Sequence, residues 1–234
     1  LRSPLTALKL QVQAMLGVRP IEPALAAKLD RLERGIERMH RIVEQLLQLS
    51  RTEGDRYEIH ERDVRPIELG DAVYRAVTDL ADLAREKRIA VSIDIPDQLR
   101  VVAEAGDLAA LVANLLDNAI KYSPDGGTVE ISAAQSDQVT RLRIQDSGKG
   151  IPLSERERVF DRFYRVPGSD VAGSGLGLAI VRTIAERMGA VVALGDSHSG
   201  GLAVEVSFPV GGRPALLEDG AADHRSALTT VESP

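Results

Sequence analysis

The chain has 234 residues, 44% apolar and 27% charged, enough for one ordinary domain plus a smaller one with a packed core. Its formal charge of -6 excludes the basic surface that sequence-independent nucleic-acid binding needs, so no nucleic-acid partner is expected. With no Cys, disulfides and thiolate metal sites are excluded, and His40, His60, His198 and His224 are too dispersed for a metal motif.

No uninterrupted apolar run reaches membrane-spanning length, and the first residues carry no signal-peptide pattern. The chain therefore reads as a soluble, cytoplasmic piece. Leu1, Leu5, Leu8, Val12 and Met15 alternate spacings of four and three, a coiled-coil seam with no N-cap before it. Gly17, Pro20 and Pro23 break that pattern. A second seam follows through Leu25, Leu29, Leu32, Ile36, Met39, Val43 and Leu46. The expectation for 1–50 is an antiparallel helical hairpin. A seam this long wants more partner surface than one hairpin offers, so two chains would pair into a four-helix bundle. The alternative is that both seams pack on the second domain. Residues 51–65 are polar, carry Gly54 and lose the heptad; they read as a linker with a short strand at its end.

From Pro66 the pattern becomes mixed. Leu69, Val73, Ala76, Val77, Leu80 and Leu83 predict one helix ending near Lys87 and Arg88, and Val91, Ile93 and Ile95 predict a strand closed by Pro96. Leu108, Leu111, Val112, Leu115, Leu116 and Ala119 form the apolar stripe of a further helix. Asn114, Asn118 and Lys121 fall on a separate stripe of it. Two neutral oxygen donors beside a cation suit hydrated Mg²⁺ and the phosphates it carries, although an ordinary polar helix face fits the same residues. After a turn at 124–127, strands are expected around Val129–Ala133, Leu142–Ile144 and Val204–Phe208. Their alternation points to a mixed sheet buried on one face and covered there by helices. Residues 212–234 read as a flexible tail.

Of two glycine-rich boxes, the first follows a strand directly and the second opens a helix. In Asp146-Ser-Gly148-Lys-Gly150 a carboxylate stands at a strand end where backbone can approach a ligand. In Gly173-Ser174-Gly175-Leu176-Gly177-Leu178 the glycines open a helix whose free N–H groups suit an anion. Neither box is a dinucleotide fingerprint or a P-loop, and protein-kinase signatures are absent.

Asn114-x3-Asn118, Asp146-x-Gly148-x-Gly150, Phe160-Asp-Arg-Phe163-Tyr and Gly173-x-Gly175-Leu-Gly177-Leu resemble, in order and spacing, the N, G1, F and G2 boxes of two-component sensor histidine kinases. Leu1-Arg-Ser-Pro-Leu-Thr-Ala-Leu is similar to the tail of that family's phospho-acceptor box. The resemblance covers about residues 1–210 and is nearest to kinases paired with OmpR-type response regulators. It implies a dimerising helical hairpin over 1–50, half of a four-helix bundle. It also implies an α/β sandwich ATP-binding domain of the GHKL (Bergerat) type over 66–211. Asn114 and Asn118 would hold Mg²⁺ and the phosphates, with Lys121 on the phosphates and Tyr122 beside the nucleotide. Asp146 would accept the adenine amino group, while Gly148 and Gly150 let backbone close on the base. Residues between Phe160 and Gly173 would form an ATP lid, with Arg165 reaching the γ-phosphate. Gly173, Ser174 and the amides of Gly175, Leu176 and Gly177 would cradle the phosphate chain. Phe160 and Phe163 also read as local core.

The resemblance further implies a homodimer, a response regulator partner, and an intact protein on the cytoplasmic side of a bacterial inner membrane. Membrane contact would come only through upstream segments. The acceptor His and the Glu after it would stand before Leu1, and none of the four His takes that place. The chain as given is therefore expected to bind ATP–Mg²⁺ without autophosphorylating. Ser3 occupies the position that orients water for dephosphorylating the regulator. Leu202, after Gly200-Gly201, stands where relatives often carry a hydroxyl. Two rival readings remain: an ATP hydrolase of the same superfamily, disfavoured because Asn114 is not a carboxylate base, and a non-catalytic dimeric scaffold.

Overall fold

A computed structural model describes residues 63–211 except 137, 169, 170 and 172, together with Leu25, Leu29 and Leu32. Those three leucines are helical. The rest of the expected hairpin, Ser3, the linker up to residue 62 and the tail from 212 lie outside the described residues.

Among the described residues, seven strands and four helices lie along residues 64–209. They are β1 (Val64–Glu68), α1 (Leu69–Asp79), α2 (Ala81–Glu86), β2 (Ala90–Asp94), β3 (Arg100–Glu104) and α3 (Ala105–Tyr122). There follow β4 (Thr128–Gln135), β5 (Val139–Asp146), α4 (Gly177–Arg187), β6 (Val191–Asp196) and β7 (Leu202–Pro209). Short 3-10 turns at Leu153–Glu155 and Arg158–Phe160 lead into the segment before α4. The main sheet has the order β2-β4-β5-β7-β6, with β2 parallel to β4 and the other pairs antiparallel. β1 and β3 form a separate antiparallel pair.

Alternation along the strands puts Val129, Ile131, Leu142, Ile144, Val204, Val206 and Phe208 on the buried face. Glu130, Arg141, Arg143 and Glu205 point the other way, as period two requires. Helices cover only the apolar face, the architecture expected from the strand pattern. α3 is the central helix: Leu108, Leu111, Val112, Leu115, Leu116, Ala119 and Ile120 are buried along one side of it. Truncating any of these leucines would cost about 2–5 kcal/mol.

Both ends of α3 are fixed by charge. At its start Asp107 and Glu104 face Arg187 in the last turn of α4, with Nη2 at 3.2 and 3.8 Å. This places carboxylates at one helix N-terminus and a cation at the other's C-terminus. At its end the Lys87 ammonium donates to the carbonyls of Ile120, Lys121 and Ser123, at 2.9, 2.7 and 2.6 Å.

Three features depart from the expected elements. The helix read through to Lys87 is divided at Leu80, whose φ of -103° and ψ of 7° leave the helical region. Thr78 contributes by donating its hydroxyl back to the Tyr74 carbonyl, which competes with the helix ladder. β3 and β6 were not expected at all. In β3 the apolar Val102 sits between buried Val101 and Ala103, and in β6 Val-Val-Ala-Leu-Gly has no polar alternation.

Candidate functional site

Three stretches separated by tens of residues meet beside the last two turns of α3. Asn118 packs against the start of α4: a Cβ at Gly177 would stand 2.9 Å from Asn118 Nδ2, so a side chain there would push the Asn118 amide aside. One turn later, a Cβ at Gly173 would lie 3.8 Å from the Tyr122 hydroxyl. On the other side, a Cβ at Gly148 would be 2.6 Å from the Tyr122 carbonyl oxygen and 2.8 Å from Asp146 Oδ1. Asn118, Tyr122, Asp146, Gly148, Gly173 and Gly177 are thus brought together by the end of α3, the end of β5 and the start of α4.

Asp146 is the last residue of β5 and 5% exposed. Its Oδ1 accepts N–H bonds from Gly148 at 2.8 Å and from Leu202 at 3.1 Å. Burial pushes its carboxyl above the usual carboxylate range, while the two backbone N–H groups pull it back. Gly150 has a φ of +66°, and a Cβ there would be 3.3 Å from the Gly201 carbonyl oxygen. The Asp146–Gly150 box therefore rests against the β6–β7 turn.

Asn114 stands one turn before Asn118, and its Nδ2 donates to the Ala110 carbonyl at 2.8 Å. That bond fixes the amide with its nitrogen toward the helix. Lys121 makes an i,i+4 ion pair with Asp117, both side chains being mostly buried. A phosphate at Lys121 would have to share the ammonium with that carboxylate.

The segment expected as a lid is closed at its base. Phe163 N–H donates to the Gly175 carbonyl at 3.0 Å, and Gly175, with φ +72°, would place a Cβ 2.7 Å from the Tyr164 carbonyl oxygen. Arg165 donates to the Val171 carbonyl across the same segment, at 2.5 Å. Ser174 Oγ accepts from the Leu176 N–H at 3.3 Å, and the Leu176 side chain is fully buried. Leu176 thus anchors the box to the core, and the turn at α4's start leaves the following amides without helical partners. Phe160 is half-buried beneath the Arg182 guanidinium, 5.4 Å from its ring centre. Phe163 corrects the core reading: it is 59% exposed and held at φ +64°, because the chain turns back there toward Gly175.

The sequence reading missed Asp117 and Gly201. The i,i+4 spacing of Asp117 and Lys121 was a signal for the first; the second had only a Gly-Gly pair. Leu202, noted for lacking a hydroxyl, contributes its backbone N–H to Asp146. Among the described residues, no group of three His, Cys, Asp or Glu could hold a metal, and no helix is long and apolar enough to cross a membrane. The asparagine oxygens and glycine-lined approach fit a phosphate-borne hydrated cation better than a protein-only metal cage.

Residues 103–212 match the family model of the histidine kinase-, DNA gyrase B- and HSP90-like ATPases, and residues 1–55 match the His Kinase A (phospho-acceptor) domain. The chain is 37% identical over 210 residues to the sensor protein QseC of Escherichia coli K12, covering 89% of this chain and 45% of that protein. It is 36% identical over 212 residues to the sensor protein kinase PmrB of Pseudomonas aeruginosa, covering 89% and 43%. The chain thus spans less than half the length of these curated relatives. A solved mycobacterial sensor histidine kinase, MprB, is 33% identical with a TM-score of 0.55, over 64% of this chain and 99% of that one.

Proposed function

Because the chain belongs to the sensor histidine kinase family, we propose that residues 66–211 bind ATP with Mg²⁺ and serve phosphotransfer to a histidine. In the intact protein an imidazole nitrogen of the helical hairpin takes the γ-phosphoryl group, ADP leaves, and the group passes on to an aspartate of a response regulator. The observation that carries this reading is the meeting of Asn118, Asp146 and Gly177 at one place. A carboxylate for the base and glycine-framed amides for phosphates are then held on rigid elements.

Asn114 and Asn118 hold Mg²⁺ through their side-chain oxygens, and Lys121 and Arg165 meet the phosphates. Mg²⁺, when bound, neutralises phosphate charge. Tyr122 lies beside the nucleotide, Asp146 accepts from the adenine amino group, and the amides of Gly175 and Gly177 face the phosphates. Asn114 has no carboxylate with which to activate water, which favours transfer over hydrolysis.

The organisation proposed is a dimerising hairpin over 1–50, a linker over 51–65, the ATP-binding domain and a tail from 212. Its partners are a second copy and a regulator of the OmpR type, with Ser3 acting in dephosphorylation. The intact protein is a membrane sensor facing the cytoplasm. Titration with a fluorescent ATP analogue and Mg²⁺ tests the site: Asn118→Ala should abolish saturable binding. Binding unaffected by that change would favour the scaffold reading, and fast steady-state hydrolysis would favour the hydrolase.

A further inference from the structure

The turn joining β6 to β7 straddles the end of β5. It is closed on itself by Ser197 N–H to the Gly201 carbonyl at 2.9 Å and by Gly200 N–H to the Ser197 carbonyl at 3.0 Å. On the outer face of the sheet His198 reaches Gln145 Oε1 through Nδ1 at 3.3 Å and Glu130 Oε1 through Nε2 at 3.1 Å. Glu130 and Gln145 are cross-strand partners. On the inner face, one residue further along β5, the same turn closes on Asp146. A Cβ at Gly201 would run into the Asp146 carbonyl oxygen and Oδ1, and would stand 2.5 Å from the Gly148 nitrogen. Two of those three atoms belong to backbone, so moving the Asp146 side chain alone would not make room. The neighbouring Gly200 is different: a Cβ there meets nothing within 4 Å.

The consequence is a carboxylate whose two oxygens are not equivalent. Oδ1 takes both N–H bonds, from Gly148 and from Leu202 directly after the turn. Oδ2 accepts none among the described residues.

We propose that this turn is the positioning element for Asp146. Gly201, by lacking a side chain, and His198, by tying the turn to the outer face, hold the carboxylate so that Oδ2 alone reads the purine C6 substituent. It accepts from the amino group of adenine and repels the carbonyl of a 6-oxopurine. The inference rests on the nucleotide site proposed above and adds what sets its base selectivity.

The test compares equilibrium binding of ATP and inosine triphosphate, each with Mg²⁺. The unaltered chain should prefer ATP. Gly201→Ala should weaken ATP roughly ten- to a hundredfold, the range for a misaligned charge-assisted hydrogen bond. Inosine triphosphate should stay within about twofold, since it never made that bond. A folded Gly201→Ala protein that keeps the preference, or loses both nucleotides in parallel, overturns the proposal. Should Gly201→Ala fail to fold, His198→Ala decides. A fall of about two- to fivefold in the preference, the size of an exposed hydrogen bond, supports the tether; an unchanged ratio overturns it. Asp146→Asn keeps the two failures apart. If the unaltered chain shows no preference, or Asp146→Asn retains it, the base site itself is misassigned and the proposal falls with it. If Asp146→Asn abolishes the preference while both turn variants keep it, the positioning role alone is refuted.

Discussion

Replacing Lys87 by methionine removes the cation that closes the C-terminus of α3 while keeping most of the stem's volume. In the structure one ammonium serves the carbonyls of Ile120, Lys121 and Ser123 at 2.6–2.9 Å, three of the acceptors a helix end leaves unpaired. A hydrogen bond from a charged donor contributes about 1.5–3 kcal/mol. The three share one charge, and water can reach part of the site, so their sum is well below three times that figure. A loss of about 2–3 kcal/mol follows, or roughly 6–9 °C in Tm for a domain of this size. The last turns of α3 carry Asn118, Lys121 and Tyr122, so nucleotide affinity should fall along with stability. Urea unfolding followed by far-UV circular dichroism measures the first, and analogue titration the second. Lys87→Arg should fall between, because a planar fork cannot converge on three carbonyls as an ammonium does. A Lys87→Met protein within about 0.5 kcal/mol of the parent would refute the capping argument, since that is the scatter of ordinary surface substitutions.

Two further outcomes follow from buried charge. Burial raises the Asp146 carboxyl above the ordinary carboxylate value of 3.8, so the folded protein holds that proton more tightly than the unfolded chain. The sign is then set: the group favours folding below about 3.8, and that contribution is lost as pH rises through the raised folded value. Asp146→Asn should accordingly be as stable as the parent or more so at neutral pH, yet bind ATP worse. ATP affinity of the parent should fall on acidification at a higher pH than an exposed carboxylate would dictate. A variant that is less stable at neutral pH, in thermal melts, would contradict this. Arg187→Gln leaves the Asp107 carboxylate, 16% exposed, without its guanidinium, which is 13% exposed, at a cost of about 2–3 kcal/mol. Adding Asp107→Asn should recover part of that loss; strict additivity of the two changes in chemical unfolding would show that the pair is not coupled.

The apolar stripe of α3 and the alternation of β4, β5 and β7 were legible because each element buries a single face, and a single face imposes a period. β6 escaped because its run of Val, Ala, Leu and Gly shows no alternation, and the break at Leu80 because no Gly or Pro announces it. Phe163 was misread for a related reason. An aromatic beside a Tyr looks like core, and only the return of the chain to Gly175 turns it outward. The boxes were legible as sets of residue types, since amides, a carboxylate and glycines in that order have little structural use together.

The amino-acid order by itself determined the period of the elements, the layer architecture and the inventory of the site, because these depend on local geometry and side-chain chemistry. It could not say that Gly177 lies against the Asn118 amide, or that Gly201 is a glycine because Asp146 lies against it. Nor could it say that Lys87 closes a helix ending more than thirty residues later. Those facts belong to approaches between segments distant in sequence, and a steric exclusion or a shared acceptor exists only once packing has set the distance. Tertiary structure thus decided which glycine is indispensable and which carboxylate oxygen is left to act.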